Sequence, residues 1–217
     1  MSSVRLIGIT NPVIAQCDTA EELVAYIARV SNPSNQDNKT TASKLLAYLT
    51  KHKHFSPFEM VNLVMEINTT RDIGRQILRH RSFSFQEFSQ RYAVSESFEI
   101  REARLQDTKN RQNSIETNDD LLSETWEDHQ RAVISASQEA YTWAISEGIA
   151  KEQARVVLPE GMTHTRMYMN GTLRSWIHYC QLRCAVETQK EHREVANQCW
   201  DITCGQFPAL EGILINE

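Results

Sequence analysis

Between residues 61 and 68 apolar side chains fall on every second position. Val61, Leu63, Met65 and Ile67 alternate with Asn62, Glu66 and Asn68, and only Val64 breaks the polar side. A period of two is the signature of a β-strand. After Thr70 the period lengthens: Ile73 and Ile77 mark the buried face of a helix, with Asp72 favourably placed in its first turn. Arg71, Arg75 and Arg79 recur at spacing four and line another face of that helix. Elsewhere strands and helices do not alternate regularly. Residues 3–10 read as a strand, and Thr19–Glu22 as a capping box opening a helix to about Val30. Residues 31–40 are a polar loop, and a second helix carries Leu45, Leu46 and Leu49. Residues 82–91 read as a loop, 91–98 as a strand and 101–120 as a polar, mobile connection. A long helix over about 121–147 follows, then a shorter one stopped by Pro159 and Gly161, a strand over 162–169, and a last helix from about Thr172 to Gln198 or beyond. The pattern implies an α+β fold with an antiparallel or mixed sheet flanked by helices.

The 217 residues suffice for one domain with a real core, taken here as 1–217 with 98–125 as a possible mobile insertion. A net charge of −5 argues against a general nucleic-acid sleeve, so any bound anion must be captured by a local cluster. No apolar run approaches a membrane span and no signal peptide is visible. Five cysteines, an odd number without a CxxC pair, point to reduced thiols in the cytosol. The seven glycines are scattered, so no Gly-rich phosphate loop exists and a bound dinucleotide would have to be held by arginines.

The segment richest in chemistry is Arg79-His80-Arg81-Ser82-Phe83-Ser84-Phe85-Gln86-Glu87-Phe88-Ser89-Gln90-Arg91. Cations at a helix end favour the macrodipole and are often nothing more than caps. Here they continue into a stretch bearing hydroxyls, a carboxylate and a further arginine, and a guanidinium fork suits phosphate. The segment meets every fixed position of the pattern RHRxxSxxExSxR and thereby resembles the flavin-dependent thymidylate synthases. His54-Phe55-Ser56-Pro57-Phe58-Glu59 resembles the same family's HxSPFEH segment with Met60 in place of its last histidine. Ala154–Pro159 resembles ARxxLP, and Gln181-Leu182-Arg183 resembles the substrate-activating arginine region. Two departures stand at Gln86 and Thr172, positions that are commonly Asn.

The resemblance implies FAD as cofactor, dUMP as substrate, methylenetetrahydrofolate as carbon donor and NADPH as reductant. It implies a homotetramer whose active sites are shared between subunits. Around dUMP it places Gln76, Arg79, Glu87, Phe88, Ser89, Gln90, Arg91, Arg155 and Arg183, with Ser89 and Arg91 near the phosphate and Arg183 as the catalytic group against the uracil. Around FAD it places Ser56, Arg79, His80, Arg81, Glu87, Thr172, Leu173, Arg174 and His178, with His54 near the flavin. Two other readings of the residues remain open: a nucleotide- or RNA-loop-binding protein using the same arginines, and a His/Glu metal hydrolase, for which His52 and His54 lack a third ligand nearby.

Overall fold

The computed structural model describes residues 2–94 and 97–215. Its strands are β1 (Ser3–Ile9), β2 (Asn62–Thr70), β3 (Ser84–Glu87), β4 (Arg104–Gln106), β5 (Ser114–Glu116) and β6 (His164–Thr172). Its helices are α1 (Ala20–Ala28), α2 (Ala42–Lys51), α3 (Arg71–Ile77), α4 (Asp120–Ser146), α5 (Lys151–Ala154), α6 (Leu173–Arg183) and α7 (Lys190–Gln206). Four strands form an antiparallel sheet in the order β1-β2-β6-β3. The period-two pattern decides which face is covered: Leu63, Met65, Ile67, Met167 and Met169 are fully buried, while Asn62, Asn68 and Arg166 are not. Against the covered face pack Ile73 and Ile77 of α3, Trp176 and Tyr179 of α6, and Val195 and Cys199 of α7 in one core. The expected α+β architecture is therefore present, as an antiparallel sheet with helices over one face.

Local signals hold where they are chemically explicit. Thr19 Oγ1 accepts from the Glu22 amide, while the Glu22 carboxylate reaches back to the Asp18 amide, one residue earlier than a strict capping box would have it. Four expectations are corrected. Residues 84–87 are a strand, not loop; among the described residues β3 is an edge strand paired with β6 alone, and its alternation of Ser84 and Gln86 outward with Phe85 inward is broken by the carboxylate of Glu87 on the inward side. The strand expected over 91–98 is a turn at Arg91–Tyr92, with Phe98 making a single bridge to Thr163; Ser95 and Glu96 lie outside the described residues. The connection expected over 101–120 contains the β4–β5 hairpin, anchored because Arg101 and Arg104 both pair with Glu191 of α7. The last helix is two, α6 and α7, separated at 184–189 so that α7 folds back and His192 meets Tyr179. No glycine or proline marks that break.

At Gly171 a β-carbon would stand 2.4 Å from the Phe83 ring. Only glycine lets this ring lie flat across β6, where it also packs edge-on against Trp176 with centroids 4.8 Å apart. The contact ties the turn carrying His80 and Arg81 to the sheet. Helix α4 is different in kind: only Gln130, Tyr141 and Ala144 are buried along it, and Leu121, Trp126, Val133 and Trp143 are exposed.

Candidate functional site

The short helix α3 ends at Ile77, and a tight turn (Arg79 N–H to Gln76 O, His80 N–H to Ile77 O) delivers the chain to β3. Arg79 lies in that turn, past the helix, so of the three spacing-four arginines only Arg71 and Arg75 share a helical face, and both meet Glu87. The thirteen-residue motif thus becomes turn, strand, turn, with its chemistry divided between the two ends of β3. Four strand residues at about 3.3 Å each set those ends roughly 13 Å apart.

At the upstream end Arg79 and Arg81 are exposed, and among the described residues neither guanidinium has a hydrogen-bond or ion-pair partner. Ser82, next to Arg81 in the chain, lines a cavity of about 340 Å³ together with Phe55, Glu59, Arg174, Ser175, His178 and Gln181, among others. Helix α6 supplies most of it. Thr172 caps its N-terminus, accepting from the Ser175 amide at 3.2 Å and donating to Glu59 at 2.8 Å, while Arg174 donates to the other Glu59 oxygen at 2.8 Å. Leu173 is buried and serves the core; its backbone amide bonds to Val61. Ser56 opens the 3₁₀ turn Ser56–Met60 and is exposed, as is His54. Thus Arg174 and His178 of α6, Ser82 of the RHR turn, and Phe55 between His54 and Ser56 come together from three segments far apart in sequence.

His80 turns inward from the same turn. Its ring lies edge-on against Tyr179, centroids 4.9 Å apart, and its Nε2 accepts from Arg183 Nε at 3.0 Å. Burial first, then the charges of Arg183, His178 and Arg79, lower the imidazole to about 4. A neutral His80 whose Nε2 accepts must carry its proton on Nδ1. Arg183 thereby spends its Nε on the protein and keeps its two terminal nitrogens for something else.

At the downstream end the charges are already matched. Glu87 Oε1 accepts from Thr165 Oγ1 at 2.9 Å, and its carboxylate faces Arg75 at 3.3 Å and Arg71 at 3.7 Å. Burial lowers the Arg71 guanidinium. Beyond it Phe88 continues the ladder to the Arg166 carbonyl and is exposed, Ser89 Oγ accepts from the Arg91 amide, and Gln90 is buried with its Nε2 unpartnered. Arg91 reaches the Glu152 carboxylate at 3.4 Å, and Arg155 Nε donates to the Glu152 carbonyl at 3.3 Å. Glu152 of α5 thus links Arg91 through its side chain and Arg155 through its backbone. Gln76, at the end of α3, is held by Gln189 and His192.

The sequence did not single out Glu59, Glu152, Gln189 or His192, because each acts through a partner distant in the chain. A larger cavity of about 520 Å³ lies by the hairpin between Arg101, Glu102, Glu116 and Lys190, but Lys190 is paired there with both glutamates. Among the described residues no three His, Cys, Asp or Glu side chains gather as metal ligands, and no helix is long and apolar enough to cross a membrane.

Comparisons with known proteins bear on this arrangement. The family described as thymidylate synthase complementing protein matches residues 12–209. A probable flavin-dependent thymidylate synthase of Paramecium bursaria Chlorella virus 1 is 50% identical over 209 residues, covering 96% of each chain. A flavin-dependent thymidylate synthase of Synechocystis is 48% identical, covering 97% of this chain and 98% of its own. Among solved structures, a UMP/dUMP methylase from Streptomyces cacaoi bound with 5-Br dUMP superposes with a TM-score of 0.82 over 96% of this chain and 92% of that one, at 24% identity. That likeness is one of fold.

Proposed function

Since this chain belongs to the flavin-dependent thymidylate synthase family, we propose that it binds FAD and methylates dUMP to dTMP, with methylenetetrahydrofolate giving the carbon and NADPH the reducing equivalents. The observation that carries this reading is the unpaired arginine pair Arg79 and Arg81 just before Ser82, which edges a cavity with Arg174 and His178. A donor-rich rim without a Gly-rich loop suits the pyrophosphate of a dinucleotide. Arg79, Arg81, Arg174, His178 and Ser56 hold the cofactor, with Thr172 and Leu173 presenting the helix start, His80 closing the inner wall and His54 at the rim. When bound, FAD supplies the hydride chemistry that turns the transferred carbon into a methyl group.

The remaining residues bind and polarise the nucleotide. Ser89, Arg91 and Arg155 grip its phosphate, and Phe88 and Gln90 frame that pocket through their backbone. Glu87 ties the pocket to the sheet and meets the ligands at the boundary between cofactor and substrate. Gln76, Arg79 and Arg183 face the pyrimidine. The free terminal nitrogens of Arg183 stabilise negative charge developing on the ring, its Nε being fixed by His80. Because the two ends of β3 lie apart in one protomer, a nucleotide gripped downstream is completed by Gln76 and Arg183 of another copy, in a homotetramer with shared sites. The exposed Leu121, Trp126, Val133 and Trp143 of α4 support such an assembly, and five free thiols support a reducing compartment such as the cytosol.

The test is direct. The purified protein should be yellow, bleach on adding NADPH, and form dTMP from dUMP and methylenetetrahydrofolate. A colourless protein that binds nucleotides without turnover would overturn the reading.

A further inference from the structure

Behind the site runs a continuous line of polar side chains whose direction is fixed at one end. Glu191 is buried against the hairpin, its carboxylate gripped by Arg101 at 3.0 Å and by Arg104. Burial alone would raise this carboxyl; Arg101 above all, aided by hydrogen bonds and Arg104, leaves it lowered. A carboxylate can only accept, so the Gln189 group 2.9 Å away must be its Nε2. Gln189 Oε1 then faces Gln76, which must donate with Nε2 at 2.8 Å. Gln76 Oε1 is left to His192 Nδ1 at 3.2 Å, so Nδ1 carries the proton. Nε2 of the same ring accepts from Tyr179 Oη at 3.1 Å. His192 is fully buried and lowered to about 3, first by burial and then by Arg183 and His80.

The consequence falls on Gln76. A primary amide can ordinarily flip end for end and read two opposite patterns. Uracil presents an acceptor O4 beside a donor N3–H, whereas cytosine presents a donor N4–H₂ beside an acceptor N3. Here one N–H and one lone pair of Gln76 are committed to Gln189 and His192, and flipping the amide would set donor against donor and acceptor against acceptor at both contacts. A buried mismatch of that kind is costly. The second N–H and second lone pair of Gln76, which is only partly buried, remain for a ligand in a fixed order.

We propose that His192 is a positioning residue that, with Gln189 and Glu191, locks the Gln76 amide in the orientation that accepts a uracil ring and refuses a cytosine ring. The inference rests on the reading that Gln76 faces the pyrimidine of dUMP. Its residues lie outside the motif that carried the family resemblance, and it gives the β4–β5 hairpin a role as the relay's anchor.

The experiment compares the flavin-loaded unaltered enzyme with His192→Leu and His192→Asn, measuring KM for dUMP and the inhibition constant of dCMP. Leucine removes one of the two contacts that hold the Gln76 amide, leaving Gln189 alone to oppose the flip, so the ratio of dCMP to dUMP affinity should rise by about tenfold, equivalent to about 1.4 kcal/mol. Asparagine offers Nδ2–H where the imidazole offers Nδ1–H and should restore most of the discrimination, even though it leaves Tyr179 without its acceptor. Lowered melting temperature in both variants with discrimination lost only in the leucine form supports the relay. An unchanged ratio in a folded, yellow His192→Leu enzyme overturns it, as does equal loss in both variants. Absence of dUMP methylation by the unaltered protein would instead sink the underlying functional reading.

Discussion

Among the described residues Arg79 and Arg81, at the upstream end of β3, face no carboxylate, whereas at the downstream end Arg71, Arg75 and Arg91 each already face one. The contrast separates two ways of binding an anion. Arg79 and Arg81 gain their partners only from a ligand, so a cofactor there adds net attraction, and of the cofactor-side arginines only Arg174 must first leave a carboxylate, that of Glu59. Arg91 must first leave Glu152, so the downstream end trades one anion for another and its affinity reflects a difference. A tightly held cofactor beside an exchanging substrate is what such a division would give.

Four experiments bear on this division. Arg183→Ala, which removes the cation tied to the upstream turn through His80, should lower dTMP formation by about a hundredfold, on the order of 3 kcal/mol, with FAD retained. Arg183→Lys should recover only part, since an ammonium lacks the guanidinium geometry that serves His80 and the ring together. Steady-state rates alongside flavin content decide it, and loss of colour in the alanine form would reassign Arg183 to the cofactor. Next in size is a crossed pair: Arg81→Ala should weaken FAD by roughly tenfold and leave KM for dUMP alone, and Arg91→Ala should do the reverse. If both variants lose the same ligand, the two ends are one site and the contrast fails.

The third effect has the opposite sign. Glu152→Gln removes the carboxylate that competes for Arg91, and because exposed ion pairs are weak, KM for dUMP should fall by only about two- to threefold. A raised KM would mean that Glu152 orients Arg91 for the phosphate and does not compete with it. The smallest effect concerns acid stability. His80 and His192 are lowered to about 4 and about 3 in the folded chain, against about 6.5 when unfolded. Between those values the unfolded chain binds more protons, so their contribution is whole above pH 6.5 and is lost as pH falls toward 4 and then 3. The melting temperature should therefore drop over that window, and less steeply in His192→Asn, which lacks one of the two groups.

How much of this the residues announced depends on the range of the interaction. The strand over Asn62–Thr70, the helix opened at Thr19 and the long helix α4 rest on period and capping, which are local, and all were readable. Strand β3 was missed because it is four residues long and Glu87 sets a carboxylate at an inward position, so too little of the alternation that marks a covered strand remains. The break between α6 and α7 was missed because residues 184–189 contain no helix breaker, and the Tyr179–His192 contact that accompanies it joins the two helices only in the folded chain. Arg79, Arg81 and Arg91 could be read from a motif. That Arg91 is matched by Glu152 and Arg79 by nothing among the described residues could not, since charge balance between distant helices is a property of the folded chain.

The sheet order also sets a timetable. Strand β3 pairs only with β6, whose first residue, His164, lies far downstream of Glu87 in the chain. Strands β1 and β2 can find each other early in synthesis, but Ser84–Glu87 must wait on the ribosome until residues 164–172 have emerged. Pairings this distant in sequence are slow to form and leave strand edges open meanwhile. The waiting segment is flanked by cations, Arg79 and Arg81 before it and Arg91 after it, and their like charges repel other nascent copies while its partner strand is still being made.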